Sequence, residues 1–110
     1  MGKDFYKELI AASTIPLILT LLRSGDSYGY AIIKRVRELS GDALEWTEGM
    51  LYPVLHRLEK QKLIESYWKK EGGRRRRYYR LLPAGEEELE SLRDQWNVIN
   101  QTINRSWSRK

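Results

Sequence analysis

The chain has 110 residues, a formal net charge of +5, 41% hydrophobic and 32% charged residues, which fits one globular domain rather than a disordered segment. It has no cysteine and one histidine, His56, which excludes a disulfide scaffold, a thiolate metal site and a multi-histidine zinc centre. No nucleophile–base–acid set stands out either, so neither an enzyme nor a metal or other cofactor is expected.

The opening "MGKDFYKELIAAS" carries Asp4, Lys7 and Glu8 and so lacks the apolar core of a signal peptide. The run "IPLILTLL" from Ile15 is too short to span a bilayer. A cytoplasmic chain without membrane association is expected. Residues 4–23 place Phe5, Leu9, Ile10, Ile15, Ile18, Leu19 and Leu22 at helical spacing. Pro16 predicts a kink, or a restart capped by Ser13 or Thr14. Gly25 predicts the stop.

"DSYGYAIIKRVRELSG" predicts a second helix capped by Asp26 or Ser27, with Tyr30, Ile33, Val36 and Leu39 as its apolar face and Gly41 as its end. Thr47 predicts the cap of a third helix, "EGMLYPVLHRLEKQ". Leu51, Val54, Leu55 and Leu58 form its buried stripe. Gly49, Tyr52, Pro53, His56, Arg57 and Lys60 fall on the other side.

Then come "LIESYWKKE", Gly72-Gly73 and "RRRRYYRLL". Two alternating arms about a glycine pair predict a two-stranded hairpin. Lys69, Lys70, Arg74, Arg75, Arg76, Arg77 and Arg80 stand against Glu71 alone. That leaves +6 in twelve residues and −1 for the rest of the chain, so the basic excess lies in one hairpin and points to a polyanion. Alternation sends Arg74 and Arg76 to one face and Arg75 and Arg77 to the other. Tyr78 or Tyr79, with Leu81, can return to the core. Residues 83–106 predict a long last helix. Its Leu89, Leu92, Trp96, Ile99 and Ile103 make a 3-4-3-4 seam of the kind two helices share.

The fold class is therefore mainly α with a β-hairpin: a winged helix-turn-helix over residues 1–82, with helices two and three as the helix-turn-helix, and a C-terminal helix and short tail over 83–110. On this reading Thr47, Gly49, Tyr52, His56, Arg57, Lys60, Arg74, Arg75, Arg76 and Arg77 face DNA. The start of helix three offers N–H groups to a phosphate, and the guanidinium groups pair with phosphate oxygens. Tyr52 contacts DNA or packs on the wing, and the role of Glu48 is open. Trp46 and Trp68 are read as core or hairpin packing. Phe5, Leu9, Leu89, Leu92, Ile99 and Ile103 are expected at a homodimer interface, and a two-fold dimer favours palindromic duplex DNA. An RNA-binding winged helix and a protein-interaction module are the alternatives.

"GDSYGYAIIKRVREL", "EGMLYPVLHRLEKQKLIES" and "GGRRRRYYRL" together resemble the PadR family of transcriptional regulators, over roughly Leu17 to Gly85. The resemblance implies a winged-helix DNA-binding domain, a C-terminal dimerisation helix and repression relieved by a small aromatic ligand. The short tail is similar to the family's small subgroup. The family resemblance also suggests an inverted-repeat operator of the ATGT…ACAT kind. Trp96 is a poor coiled-coil knob; it either fills the interface or, as in multidrug-sensing members, walls a pocket for a planar aromatic effector. The unbroken run of four arginines departs from the family's usual wing. Leu82 stands where members often carry threonine, a departure that bears on the capping of the last helix.

Overall fold

Among residues 7–108, which this computed structural model describes, the elements run α1 (Lys7–Ser24), β1 (Ser27–Tyr28), α2 (Gly29–Leu39), α3 (Glu48–Lys60), β2 (Ile64–Glu71), β3 (Arg74–Leu81) and α4 (Pro83–Trp107). Phe5 lies outside the described residues. The expected mainly helical winged helix-turn-helix with a long last helix is present. The wing, however, is part of a three-stranded sheet in the order β1-β3-β2, not a lone hairpin.

α1 runs unbroken through Pro16 and does not restart there. The Ser13 and Thr14 hydroxyls donate back to the Ile10 carbonyl at 3.0 and 2.6 Å instead of capping a new helix. Pro16 denies a partner to the Ala12 carbonyl, but Ala12 is exposed, so water can satisfy it. Ile18, Leu19 and Leu22 are buried, whereas Leu9 is half exposed.

The predicted caps of α2 are not used. Tyr28 occupies the cap position in extended conformation and makes no side-chain cap bond. Ser27 and Tyr28 pair with β3, opposite Tyr79 and Tyr78, and the Asp26 carboxylate accepts from the Tyr67 hydroxyl at 2.6 Å. The buried face of α2 is Gly29, Ile32 and Val36. It is rotated from the predicted one, since Tyr30 and Leu39 point outward. Gly41, at φ +62°, ends the helix as expected.

Thr47 caps α3, its side chain accepting from the Met50 N–H at 3.2 Å. Leu51, Leu55 and Leu58 are fully buried and Val54 is partly so. Each such side chain contributes ~1.5–3 kcal/mol relative to exposure. At the far end the Leu63 N–H reaches the Leu58 carbonyl and the Lys62 N–H the Glu59 carbonyl. This closing motif puts Lys62 at φ +64°, a conformation that favours glycine.

Gly72 and Gly73, at φ +56° and +80°, form the two-residue turn between β2 and β3. Tyr79 joins the core, and Tyr78 is also buried. α4 starts at Pro83, with Leu82 extended before it and no side-chain cap. Gly85 lets the helix sit on the start of β2; a Cβ there would overlap the Leu63 carbonyl oxygen and come within 2.6 Å of Leu81 Cδ1.

Leu89 is a correction to the expected dimer seam. It is 0% exposed within the core of its own chain, so it has no surface to offer a second copy. Leu92 is packed against that core as well. Arg23 ties the two helices together, meeting Glu86 and Glu90 at 3.1 Å each. From Trp96 onward the seam emerges, with Trp96, Ile99 and Ile103 exposed. α4 projects past the core, and the chain measures 60 × 36 × 21 Å. No helix among the described residues is long and apolar enough to cross a membrane.

Candidate nucleic-acid interface

The register of the wing sets its electrostatic problem. Lys70 stands opposite Arg75 and Lys69 opposite Arg76, and directly opposed like charges destabilise a sheet. Aromatic rings and three carboxylates, Glu71, Glu59 and Glu65, offset this, the last meeting Arg80 at 2.9 Å. Arg75 lies 4.7 Å above the Trp68 ring and Arg77 lies 5.8 Å from it. Arg76 lies 4.5 Å from the Tyr28 ring, Lys69 4.9 Å from Tyr78 and Arg80 4.7 Å from Tyr67. Ring faces attract such cations by ~0.5–1 kcal/mol at exposed sites.

Glu71, beside the turn, gathers the outer face. Its carboxylate accepts from the Tyr78 hydroxyl at 2.6 Å and pairs with Lys69 at 3.6 Å and Arg76 at 3.8 Å. The bond from Tyr78 and the cations beside it hold Glu71 below the usual carboxylate range. The same bond pushes Tyr78 up to about 12. Tyr67 is raised chiefly by its hydrogen bond to Asp26. Glu59 of α3 takes the inner face, pairing with Arg77 at 3.5 Å. Among the described residues Arg74 has neither an ion pair nor a ring partner.

A cleft of about 620 Å³ opens between the wing and the N-terminal ends of α2 and α3. It brings together Tyr52, Arg74, Arg75, Arg76 and Arg77, five of the ten residues expected to face DNA. Tyr52 leans over Gly29, and burial, with Glu48 nearby, raises its phenol. Thr47 is used as a cap and Gly49 is exposed in the first turn of α3. His56, Arg57 and Lys60 are exposed on α3 but do not line the cleft; Arg57 instead borders a shallow groove beside α1.

Three aromatic residues of the cleft, Tyr28, Tyr30 and Trp68, are not among those expected to face DNA. Tyr28 arrives by the unforeseen strand β1, and Tyr30 by the rotation of α2. Of the two places expected for Trp68, core or hairpin packing, it takes the second: it is 55% exposed on the wing and packs under Arg75 and Arg77. Its place in the basic hairpin was the available signal. Trp46 is buried as expected. Trp96 borders a separate groove of about 330 Å³ between α1 and α4, with Pro16, Leu17 and Asn97.

Comparison with known proteins supports one reading of this surface. Residues 18–91 match the family described as "Transcriptional regulator PadR-like family". A transcriptional regulator from Clostridium thermocellum has a similar structure, with TM-score 0.82 and 35% identity over 90% of this chain and 97% of that one. A PadR family transcription regulator from Clostridium difficile gives TM-score 0.78 and 35% identity, over 87% and 99% of the two chains. The transcriptional regulator YqjI of Escherichia coli is 33% identical over 79% of this chain, which spans only 41% of that protein's length.

Proposed function

Because the chain belongs to the PadR-like family of transcriptional regulators, we propose that it is a homodimeric repressor that binds a palindromic operator and is released by a planar aromatic ligand. Family members are regulators and not enzymes, and regulation through DNA is the premise. The single observation that carries the DNA-binding part is the cleft in which Tyr52 faces four arginines of the wing. A recognition helix reads base edges while basic side chains hold phosphates.

In this reading residues 1–82 bind DNA and 83–110 dimerise, in a cytoplasmic protein. The division is one of role and not of packing, since Gly85 and Leu89 belong to the core. Leu92 shields the base of the seam, Leu9, Ile99 and Ile103 meet the second copy, and Trp96 walls the effector site. The groove at Trp96 supports that last assignment. Selection from random duplex DNA with an RNA competitor tests the proposal. An inverted repeat should emerge whose half-sites lie about one helical turn, ~34 Å, or a multiple apart. Selective retention of RNA, or of no sequence at all, would overturn it.

A further inference from the structure

One carboxylate on α3 is aimed at the wing and not at the cleft. Glu59 lies seven residues after Tyr52, two helical turns along the same side of the helix. Its Oε2 accepts from Ser66 Oγ of β2 at 2.5 Å and pairs with Arg77 of β3 at 3.5 Å. Ser66 and Arg77 are near neighbours across the hairpin, since Ser66 faces Tyr79 and Trp68 faces Arg77 in the register. A single side chain thus touches both strands of the wing from the helix beside it. It is only 27% exposed, against 43% for Arg77.

We propose that Glu59 is a positioning residue for DNA binding that locks the wing to α3 and withdraws Arg77 from the phosphate-binding set. The inference rests on the DNA-binding reading above. Its physical content has two parts. Glu59 joins the far end of α3 to both strands of the wing, which sets the distance between a base-reading helix and a phosphate-holding hairpin. Arg77 meanwhile already has a counter-charge. A neutralised guanidinium releases few counterions when a duplex approaches, so it adds little to affinity for random sequence. Arg74 and Arg75, which pair with no carboxylate among the described residues, carry that part. Non-specific affinity is thereby kept low without shortening the arginine run.

Glu59→Gln keeps the hydrogen bond to Ser66 but removes the charge. On random duplex DNA it should tighten binding and steepen the plot of log affinity against log salt by about 0.9, one further phosphate contact. The ratio of specific to random affinity should fall. Arg77→Ala should leave the slope almost unchanged in the native background, yet lower it by about 0.9 in the Glu59→Gln background. That non-additivity separates this role from a merely structural one, which would lower the melting temperature and weaken all duplexes alike. Glu48→Gln, a charge loss on the same helix but in the cleft, controls for the general field. If Glu59→Gln misfolds, Arg77→Ala alone still decides: a slope loss equal to that of Arg74→Ala overturns the inference. So does a Glu48→Gln effect equal to that of Glu59→Gln. Absence of any salt-dependent DNA binding by the native protein would instead overturn the reading on which the inference rests.

Discussion

The Tyr52 phenol lies directly across Gly29: a Cβ on that glycine would stand 2.5 Å from the tyrosine oxygen and 2.9 Å from Cζ. The start of α2 and the exposed face of α3 are therefore seated on each other through one ring. Gly29→Ala should push the ring out while leaving every charge in place. Gel-shift titrations should show a lower ratio of specific to random affinity with the salt slope unchanged. Tyr52→Ala should do the same, and the double variant should be no worse than Tyr52→Ala alone. A normal ratio in Gly29→Ala would show that the placement of the ring does not matter.

Arg74 and Arg75 should behave in the opposite way. Their joint replacement by alanine should weaken binding to every duplex by a similar factor. It should also flatten the salt plot by roughly one unit per lost contact. Altered sequence preference with an unaltered slope would reverse the roles assigned to wing and helix.

The long helix predicts assembly. Trp96, Ile99 and Ile103 are exposed on α4, and Ile99→Asp or Ile103→Asp should convert dimers into folded monomers by light scattering. Leu89→Asp should unfold the chain instead, since Leu89 is a core residue. A one-chain mass for the native protein would remove the dimer. Planar aromatic compounds should quench tryptophan fluorescence, and Trp96→Ala should abolish the high-affinity part of that quenching.

Stability should depend on pH through the Tyr78–Glu71 bond. Tyr78 ionises near 10 when unfolded and at about 12 when folded, so the folded state binds more protons between those values. Its contribution is complete below pH 10 and is lost as pH rises toward 12. Glu71 is shifted downward; its contribution is present above the ordinary carboxylate value, near 4.5, and is lost as pH falls below it. Tyr78→Phe should flatten both ends of a melting-temperature profile. An unchanged profile would show that the bond does not stabilise the fold.

Lys62 offers a route to a more stable protein. It closes α3 at φ +64°, where a side chain costs roughly 1–2 kcal/mol relative to glycine. The loss of chain freedom for glycine offsets part of that gain. Lys62→Gly should raise stability by up to ~1 kcal/mol in denaturant titrations, with DNA binding preserved.

What could be read in advance follows from the range of the forces involved. Thr47 and the stripe Leu51, Leu55 and Leu58 repeat at 3.6 residues, and Gly72-Gly73 is a local turn signal; neither needs a distant partner. β1 has two residues and no period, and exists because Tyr78 and Tyr79 of β3 lie beside it. The pairing also takes Ser27 from the cap and rotates α2, while the Tyr67 hydroxyl engages Asp26. The seam of α4 was visible, but periodicity does not say who covers a seam. Leu89 meets its own core, while Ile99 does not. The cleft was half legible: its arginines by composition and Trp68 by its place in the basic hairpin, but Tyr28 and Tyr30 only by the way β1, α2 and the wing converge.

The projection of α4 has a mechanical consequence. Its base is fastened by Gly85, Leu89 and the Arg23 ion pairs, and from Glu90 to Trp107 the helix runs on for about 26 Å at 1.5 Å per residue. A tilt of only about 5° at the base becomes a shift of roughly 2–3 Å at the tip. In a two-fold pair the lever works in reverse as well. A small displacement where the helices meet swings each winged head through an angle, and so changes the separation of the two heads against the fixed pitch of a duplex. The groove at Trp96 lies between the fastened and the free lengths of this arm, where a wedge of modest size gains most from leverage.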